Sequence, residues 1–410
     1  MKHLSQIARV ITGLLFVFSG IVKGIDPLGT AFKLEDYFTA FNIGFLDDLA
    51  LPLSIMLCLV EFVTGMMLLT GALVKPASWM AALFMALFTP LTLILAIWNP
   101  VSDCGCFGDA IILTNWQTFF KNVIITLLVV FVFIRKDDEH GVLSPKAGLN
   151  FTIGYAFLFL LFMRMNLACL PVIDFRPYKV GTNIAEAMTV PPDAEPDRYD
   201  IRFIYEKDGL QQEFTINDYP ANDTTWKFID QKSVLLSKGF VPPIHDFTLI
   251  SGDGTDMTDR ITRHQGDVVL MIARRLDKSD RDGLMKGYNL GMELQKQGKE
   301  FFIVTATASA EAGFLIKGFN SLFADETTLK TVIRSDPGFL LLHNGTIAAK
   351  WSYHTLPDPH EFSGDLNALA LKSKEASGNR LTAVSILLSV LLAVALALRF
   401  RIKTEIKEKS

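Results

Sequence analysis

The chain is 410 residues long, half of them hydrophobic, and carries a formal net charge of −4. That length allows two or more domains, and the slight acidity excludes the basic footprint of a nucleic-acid binder. Four cysteines are too few for a disulfide-scaffolded secreted fold. Charged residues gather between about 174 and 380, leaving apolar tracts on both flanks that a soluble protein has no way to bury. The class is therefore an integral membrane protein with one soluble domain, and its first partner is the lipid bilayer.

Six segments are apolar and long enough to cross as helices, for which about twenty residues are needed: 7–22, 49–74, 77–98, 118–134, 149–170 and 381–398. The first follows Lys2 and Arg9, as a signal peptide would. No small-residue cleavage site follows it and more helices come after, so it reads as a retained span. Basic residues set the orientation. Lys2, Arg9, Lys75, Arg135, Lys136, Lys146 and the tail cations Arg399, Arg401, Lys403, Lys407 and Lys409 fall on one side, with little beyond Lys33 on the other. Both termini are expected in the cytoplasm of a bacterium. The loops around Lys33 and Cys104, together with the soluble domain, are expected in the periplasm, where disulfides persist.

Between the first two spans, Leu28, Phe32, Phe38, Phe41 and Phe45 alternate with Glu35, Asp36, Asp47 and Asp48. That pattern suits an amphipathic segment in the membrane interface, or a loop packed on the helix ends. Residues 103–109 read Asp-Cys-Gly-Cys-Phe-Gly-Asp, a short polar loop between two long apolar runs. After the fifth span, 191–196 reads as a Pro-rich linker, and 199–205 alternates with a strand's period before a turn at 206–209 and a return strand at 212–216. From 240 onward, strands are expected at 247–250, 267–273, 300–307, 331–335, 338–343 and 346–351, with helices at 278–298, 309–323 and 359–371. Asn344-Gly345 between apolar runs marks a hairpin. Strands alternating with helices imply a mixed sheet covered on both faces.

Three chemistries compete for Cys104 and Cys106. As a redox pair they close a small, strained ring, and strained disulfides are oxidising; Gly105 and Gly108 ease the tight backbone there. As metal ligands they lack the two further ligands zinc needs nearby, so no metal is assigned. As structural residues they form a permanent disulfide or two inert loop thiols. Cys58, about eight residues into the second span, and Cys169, at the end of the fifth, fall on the same half of the membrane region, which allows a thiol relay or simply two small buried hydrophobes. Glu61, Lys23 and Arg164 are ionisable groups within spans and therefore candidate functional residues. Glu61 has Lys23 and Arg164 as candidate partners, and packing between helices is the competing role for all three. Residues 251–256 lack the closing glutamate of a calcium loop and read as a Gly-rich turn.

Two resemblances follow. The residues Pro243-Ile244-His245-Asp246-Phe247, the strand at 267–273, Ser335-Asp336-Pro337-Gly338-Phe339-Leu340-Leu341 and Asn344-Gly345-Thr346-Ile347 make the soluble domain similar to the thioredoxin fold, in the branch holding membrane-tethered thiol proteins and peroxiredoxins. The resemblance implies a cis-proline at Pro337. It also implies a Cys-x-x-Cys after the strand, where this chain reads Arg274-Arg275-Leu276-Asp277-Lys278-Ser279-Asp280, and no cysteine occurs after Cys169. Without a thiolate the domain has no thiol–disulfide chemistry of its own. Residues 13–23, Gly-Leu-Leu-Phe-Val-Phe-Ser-Gly-Ile-Val-Lys, with Glu61, Gly65, Gly71 and the 104–108 loop, make the first 135 residues resemble the DoxX family and its relative MauE, four-helix membrane proteins linked to periplasmic redox or thiol maturation. The whole chain resembles DoxX-plus-thioredoxin-like membrane proteins of Bacteroidetes.

The expected architecture is an α-helical membrane bundle of four DoxX/MauE-like helices plus two more transmembrane helices, with an α/β thioredoxin-like soluble domain. Its parts are 1–135 (four-helix membrane domain), 136–170 (fifth span), 171–239 (linker and small β unit), 240–375 (thioredoxin-like domain) and 381–410 (sixth span and basic tail). The expected function is thiol electron handling at Cys104 and Cys106, with the cysteine-free domain docking a periplasmic thiol protein or client. The alternatives are a non-catalytic membrane anchor or assembly factor, and a bundle that handles a proton, a quinone or another small molecule through Glu61.

Overall fold

The computed structural model describes residues 2–101, 103–137, 144–220, 223–307 and 318–408. Helices α1 (Lys2–Ile25), α2 (Pro27–Ala40), α3 (Ala50–Thr70), α4 (Val74–Trp98), α5 (Asn115–Ile134) and α6 (Pro145–Cys169) come first. Among the described residues five helices are long and apolar enough to cross a membrane: α1 and α3 to α6. Local signals set their ends. Asp26 accepts the Gly29 N–H and Pro27 opens α2. Gly71, in the left-handed region, closes α3. Thr114 and Gln117 form a reciprocal capping box that starts α5.

Glycine brings α1 and α3 into backbone contact. A Cβ on Gly20 would lie 2.8 Å from the Phe62 nitrogen, and one on Gly65 would lie 2.6 Å from the Val17 nitrogen. Small residues at such a crossing let dispersion contacts and buried polar pairs form where lipid provides no hydrophobic drive. Phe62, Leu68, Met163 and Phe159 fill the core between α1, α3 and α6. Large apolar side chains such as Trp79, Leu83, Leu87, Phe120 and Leu127 point outward, as a lipid-facing belt requires. Helix α2 does not lie free in the interface: Ala31 and Phe38 pack with Ala50 at the start of α3.

The remaining elements are α7 (Ile184–Ala187), β1 (Arg198–Lys207), β2 (Leu210–Thr215), β3 (Lys227–Ser237), β4 (Ile250–Ser251), α8 (Thr258–Thr262), β5 (Asp267–Ile272), α9 (Arg281–Lys296), β6 (Glu300–Thr305), β7 (Asn320–Phe323), α10 (Glu326–Val332), β8 (Gly338–His343), β9 (Thr346–Ser352) and α11 (Leu366–Glu408). Six strands form one sheet in the order β4-β7-β6-β5-β8-β9. The pairs β5–β6 and β6–β7 are parallel, while β5–β8, β8–β9 and β4–β7 are antiparallel. Leu284, Leu290 and Leu294 of α9 cover one face with Trp351 and Phe362. Tyr178, Ile184, Phe247, Ile261 and Leu329 cover the other. The whole is a helical membrane bundle followed by an α/β region with mixed sheets.

Several elements differ from the sequence reading. Residues 331–335 are not a strand: α10 runs to Val332, because Asp325 caps it by accepting from the Thr327 and Thr328 N–H groups. Of the helix expected at 309–323, residues 309–317 lie outside the described ones, and 320–323 form strand β7. Pairing at 247–250 is confined to Ile250 and Ser251. The helix expected at 359–371 is a 3-10 turn, Pro359–Ser363, followed by α11, which continues through the sixth expected span at 381–398. Side chains of α11 are described as far as Leu391, and Val384 packs on the bundle core. The small β unit has three strands, with β1 between β2 and β3. Strand β3 escaped the reading because it is exposed along its length and has no buried face to pattern it. Residues after 170 fold onto the sheet: Gly181 donates to the Ile347 carbonyl at 2.8 Å, and Tyr178 and Ile184 enter the core.

Candidate functional site: the CGC loop and what holds it

Cys104 and Cys106 are paired as a disulfide across one intervening residue, with their Cα atoms 5.5 Å apart. Gly105 at φ +63° and Gly108 at φ +52° take left-handed backbone that other residues adopt at a cost. Each carbonyl of the pair is held by a hydroxyl from a different helix. Tyr37 of α2 donates to the Cys104 carbonyl at 2.6 Å, and Ser19 of α1 donates to that of Cys106 at 2.8 Å. Burial, then the Asp103 and Asp36 carboxylates, push the Tyr37 phenol well above its usual range, so it stays a donor. Asp103 accepts the Gly105 N–H at 2.9 Å and pairs with Lys33 at 2.8 Å. Phe107 sits edge-on to Phe18 and under the Lys121 ammonium, 4.3 Å from the ring centroid.

Beneath the loop is a cavity of about 70 Å³ whose walls include Cys104, Cys106, Lys23, Glu61 and Lys121. It holds room for a few waters and is smaller than the roughly 300–1,000 Å³ of small-molecule pockets. Lys23 and Glu61 form an ion pair in which both side chains are about 95% buried, made possible by the glycine crossing of α1 and α3. Arg164 takes no part: it is exposed on α6 and makes no ion pair among the described residues. Cys58 is fully buried on α3, and Cys169 lines a different cavity beside Lys350 and Arg380. Both are free thiols.

The α/β region docks on the same end of the bundle. Arg334, 7% exposed, pairs with Asp26 at 2.7 Å and with Asp109 of the CGC loop at 2.9 Å. Lys330 pairs with Glu35 of α2 at 3.0 Å. The Arg274 and Arg334 guanidinium groups and the Lys330 ammonium all lie within about 5 Å of the Phe32 ring. Arg274 follows β5, and its backbone N–H and side chain both reach Asp336, whose bond to Pro337 is cis. Gly283 of α9 packs against the Pro337 ring, where a Cβ would come within 2.6 Å. Sequence reasoning missed Asp26, Phe32, Tyr37, Lys121 and Arg334 as site residues. Asp109 alone had a signal, its place in the seven-residue loop.

Comparison with known proteins adds three findings. Residues 1–135 match the family described as "Methylamine utilisation protein MauE", and residues 199–238, the three-stranded sheet, match a domain of unknown function, DUF8463. A curated relative, "Protein TlpB" of Flavobacterium psychrophilum, is 26% identical over 137 residues, 32% of this chain and 37% of the relative's length. No solved structure matches the chain. The bundle that holds the CGC loop is a MauE-like membrane domain.

Proposed function

We propose that this is a membrane thiol–disulfide protein whose working pair is Cys104 and Cys106. The observation that carries the reading is the disulfide's setting: a loop fixed by Ser19, Tyr37 and Lys33 and tied through Asp109 to Arg334 of a domain that itself holds no cysteine. A partner's thiolate attacks one sulfur, the Cys104–Cys106 bond breaks, and the departing sulfur takes up a proton. The partner's second thiol then resolves the mixed disulfide, so the partner leaves oxidised and both loop cysteines end as thiols. Lys33 and Lys121 line the same cavity and stabilise the transient thiolate. The α/β domain, read as thioredoxin-like with Pro337 beside an Arg274–Asp280 turn where cysteines are missing, docks the partner. We place the loop and this domain in the periplasm of a bacterial inner membrane, with both termini cytoplasmic. The test is alkylation trapping in cells. Wild-type Cys104 and Cys106 should shift between oxidised and reduced forms when the partner pool is perturbed, and Cys106→Ser should abolish function. A pair that stays oxidised under every condition sinks the reading.

A second reading, a non-catalytic anchor or assembly factor, is favoured by one contact: Phe32 of α2 already occupies the cationic face formed by Arg274, Lys330 and Arg334. It expects a stable partner to co-purify and Cys106→Ser to be silent. The bundle's own chemistry in either case is proton handling through the Lys23–Glu61 pair, since a few waters, rather than a quinone ring, fit the cavity as it stands.

A further inference from the structure

A second cavity, of about 380 Å³, lies away from the CGC loop, where α6 ends, the chain crosses to the sheet, and α11 leaves toward the membrane. Arg176, Lys179, Lys350, Lys374 and Arg380 line it against one carboxylate, Asp174. Leu170, Pro171, Val172 and Leu381 close it on the bundle side.

Its charges do not balance. Asp174 gives one oxygen to Arg176 at 2.8 Å and the other to Lys350 at 2.9 Å, and both cations are about 95% buried. Asp26 and Asp109, the partners of Arg334, also act on Arg176, so the buried cations are answered and the surplus lies at Arg380, Lys179 and Lys374. Burial, partly offset by Asp174 and reinforced by Arg176 and Arg334, pushes the Lys350 ammonium down to about 8. Arg380 gives one N–H to the Cys169 carbonyl at 2.8 Å, leaving the rest of its donor fork for another partner. Lys179 and Lys374 are exposed at the rim and make no ion pair among the described residues. The height also matters: Cys169 is the last residue of a membrane-crossing helix, so the cavity sits at the level of lipid headgroups.

We propose that this cavity binds a phosphate group, carried by a lipid headgroup or free in solution, between Arg380 and the lysines Lys179, Lys350 and Lys374. The apolar floor from Leu170 to Val172 and Leu381 suits a headgroup whose chains run down beside α6 and α11.

The test uses the full chain, purified in detergent without phosphate and reconstituted in nanodiscs of phosphatidylglycerol or phosphatidylcholine. Native mass spectrometry reads retained phospholipid, and thermal shift reads inorganic phosphate against chloride at equal ionic strength. The double variant Lys179→Gln/Lys374→Gln, both exposed and safe for folding, should weaken binding about tenfold, equivalent to about 1.4 kcal/mol. Arg380→Lys should fall between it and wild type, because lysine keeps the charge and loses the fork. The remote pair Lys238→Gln/Lys278→Gln should bind as wild type. Retained lipid without a phosphate response assigns the headgroup, and the reverse assigns free phosphate. If neither binds, or the rim and remote variants bind alike, the proposal is overturned.

Discussion

Arg334→Ala removes the one residue, among those described, that pairs across from the α/β region to both Asp26 at the start of α2 and Asp109 of the CGC loop. The guanidinium makes two charge-assisted bonds, to Asp26 and Asp109, and lies 5.1 Å from the Phe32 centroid. Breaking a fully buried pair costs about 3–5 kcal/mol. Here Asp26 is 15% exposed and Asp109 32%, so both carboxylates regain some water, and the lower end, about 3 kcal/mol, is the better figure. That corresponds to roughly a hundredfold shift in the docking equilibrium. Lys330–Glu35 remains, as does Arg274 over Phe32, so the domain should loosen rather than separate. Hydrogen exchange across 27–40 should quicken about a hundredfold if α2 is protected mainly by docking, while exchange in β5 and β6 should not change. Arg334→Lys should recover only part, since a point charge cannot fork to two carboxylates. Unchanged exchange in 27–40 of Arg334→Ala would refute the assignment of this arginine as the latch.

Three further outcomes follow from the same contacts. Gly20→Val should lower the melting temperature by overpacking α1 on Phe62, at about 1–3 kcal/mol, whereas Gly154→Val, with open space at its Cβ, should be silent; equal effects in detergent melts would deny the close crossing. Lys23→Met should cost about 3–5 kcal/mol by stranding the Glu61 charge, and Lys23→Met/Glu61→Leu should recover most of it. A double variant no better than the single would mean the pair is not coupled. Lys350, held down to about 8, binds its proton less tightly folded than unfolded, so the unfolded chain takes up the extra proton above that pH. Stability should therefore rise between about pH 8 and 10, and Lys350→Met should flatten that rise in denaturant titrations.

Legibility depended on how far apart along the chain the cooperating residues lie. The five apolar helices could be read because each is a single run of residues meeting one length requirement. The CGC loop could be read because its chemistry sits in seven consecutive residues. Lys23 and Glu61 were visible as misplaced charges, but only the crossing at Gly20 and Gly65 shows that they meet, and it leaves Arg164 facing outward. The latch was not legible: Arg334 lies 308 residues from Asp26 and 225 from Asp109, and arginine and aspartate are ordinary surface residues. Strand β3 was missed for the opposite reason, since it is exposed along its length and leaves no buried stripe, and α10 because its start rests on a single local cap at Asp325.

The latch also connects the two competing readings of the chain. Three segments far apart in sequence, α2, the CGC loop and the α/β region, converge on Arg334 at one end of the bundle. That convergence requires all three to share a side of the membrane, whichever side it is. A domain held there purely as a scaffold would use the same contacts, Phe32, Asp26 and Asp109, and Asp109 lies three residues from Cys106. Asp109 belongs to the same short loop as the disulfide, so the contact that docks the α/β region and the Cys104–Cys106 pair share that loop.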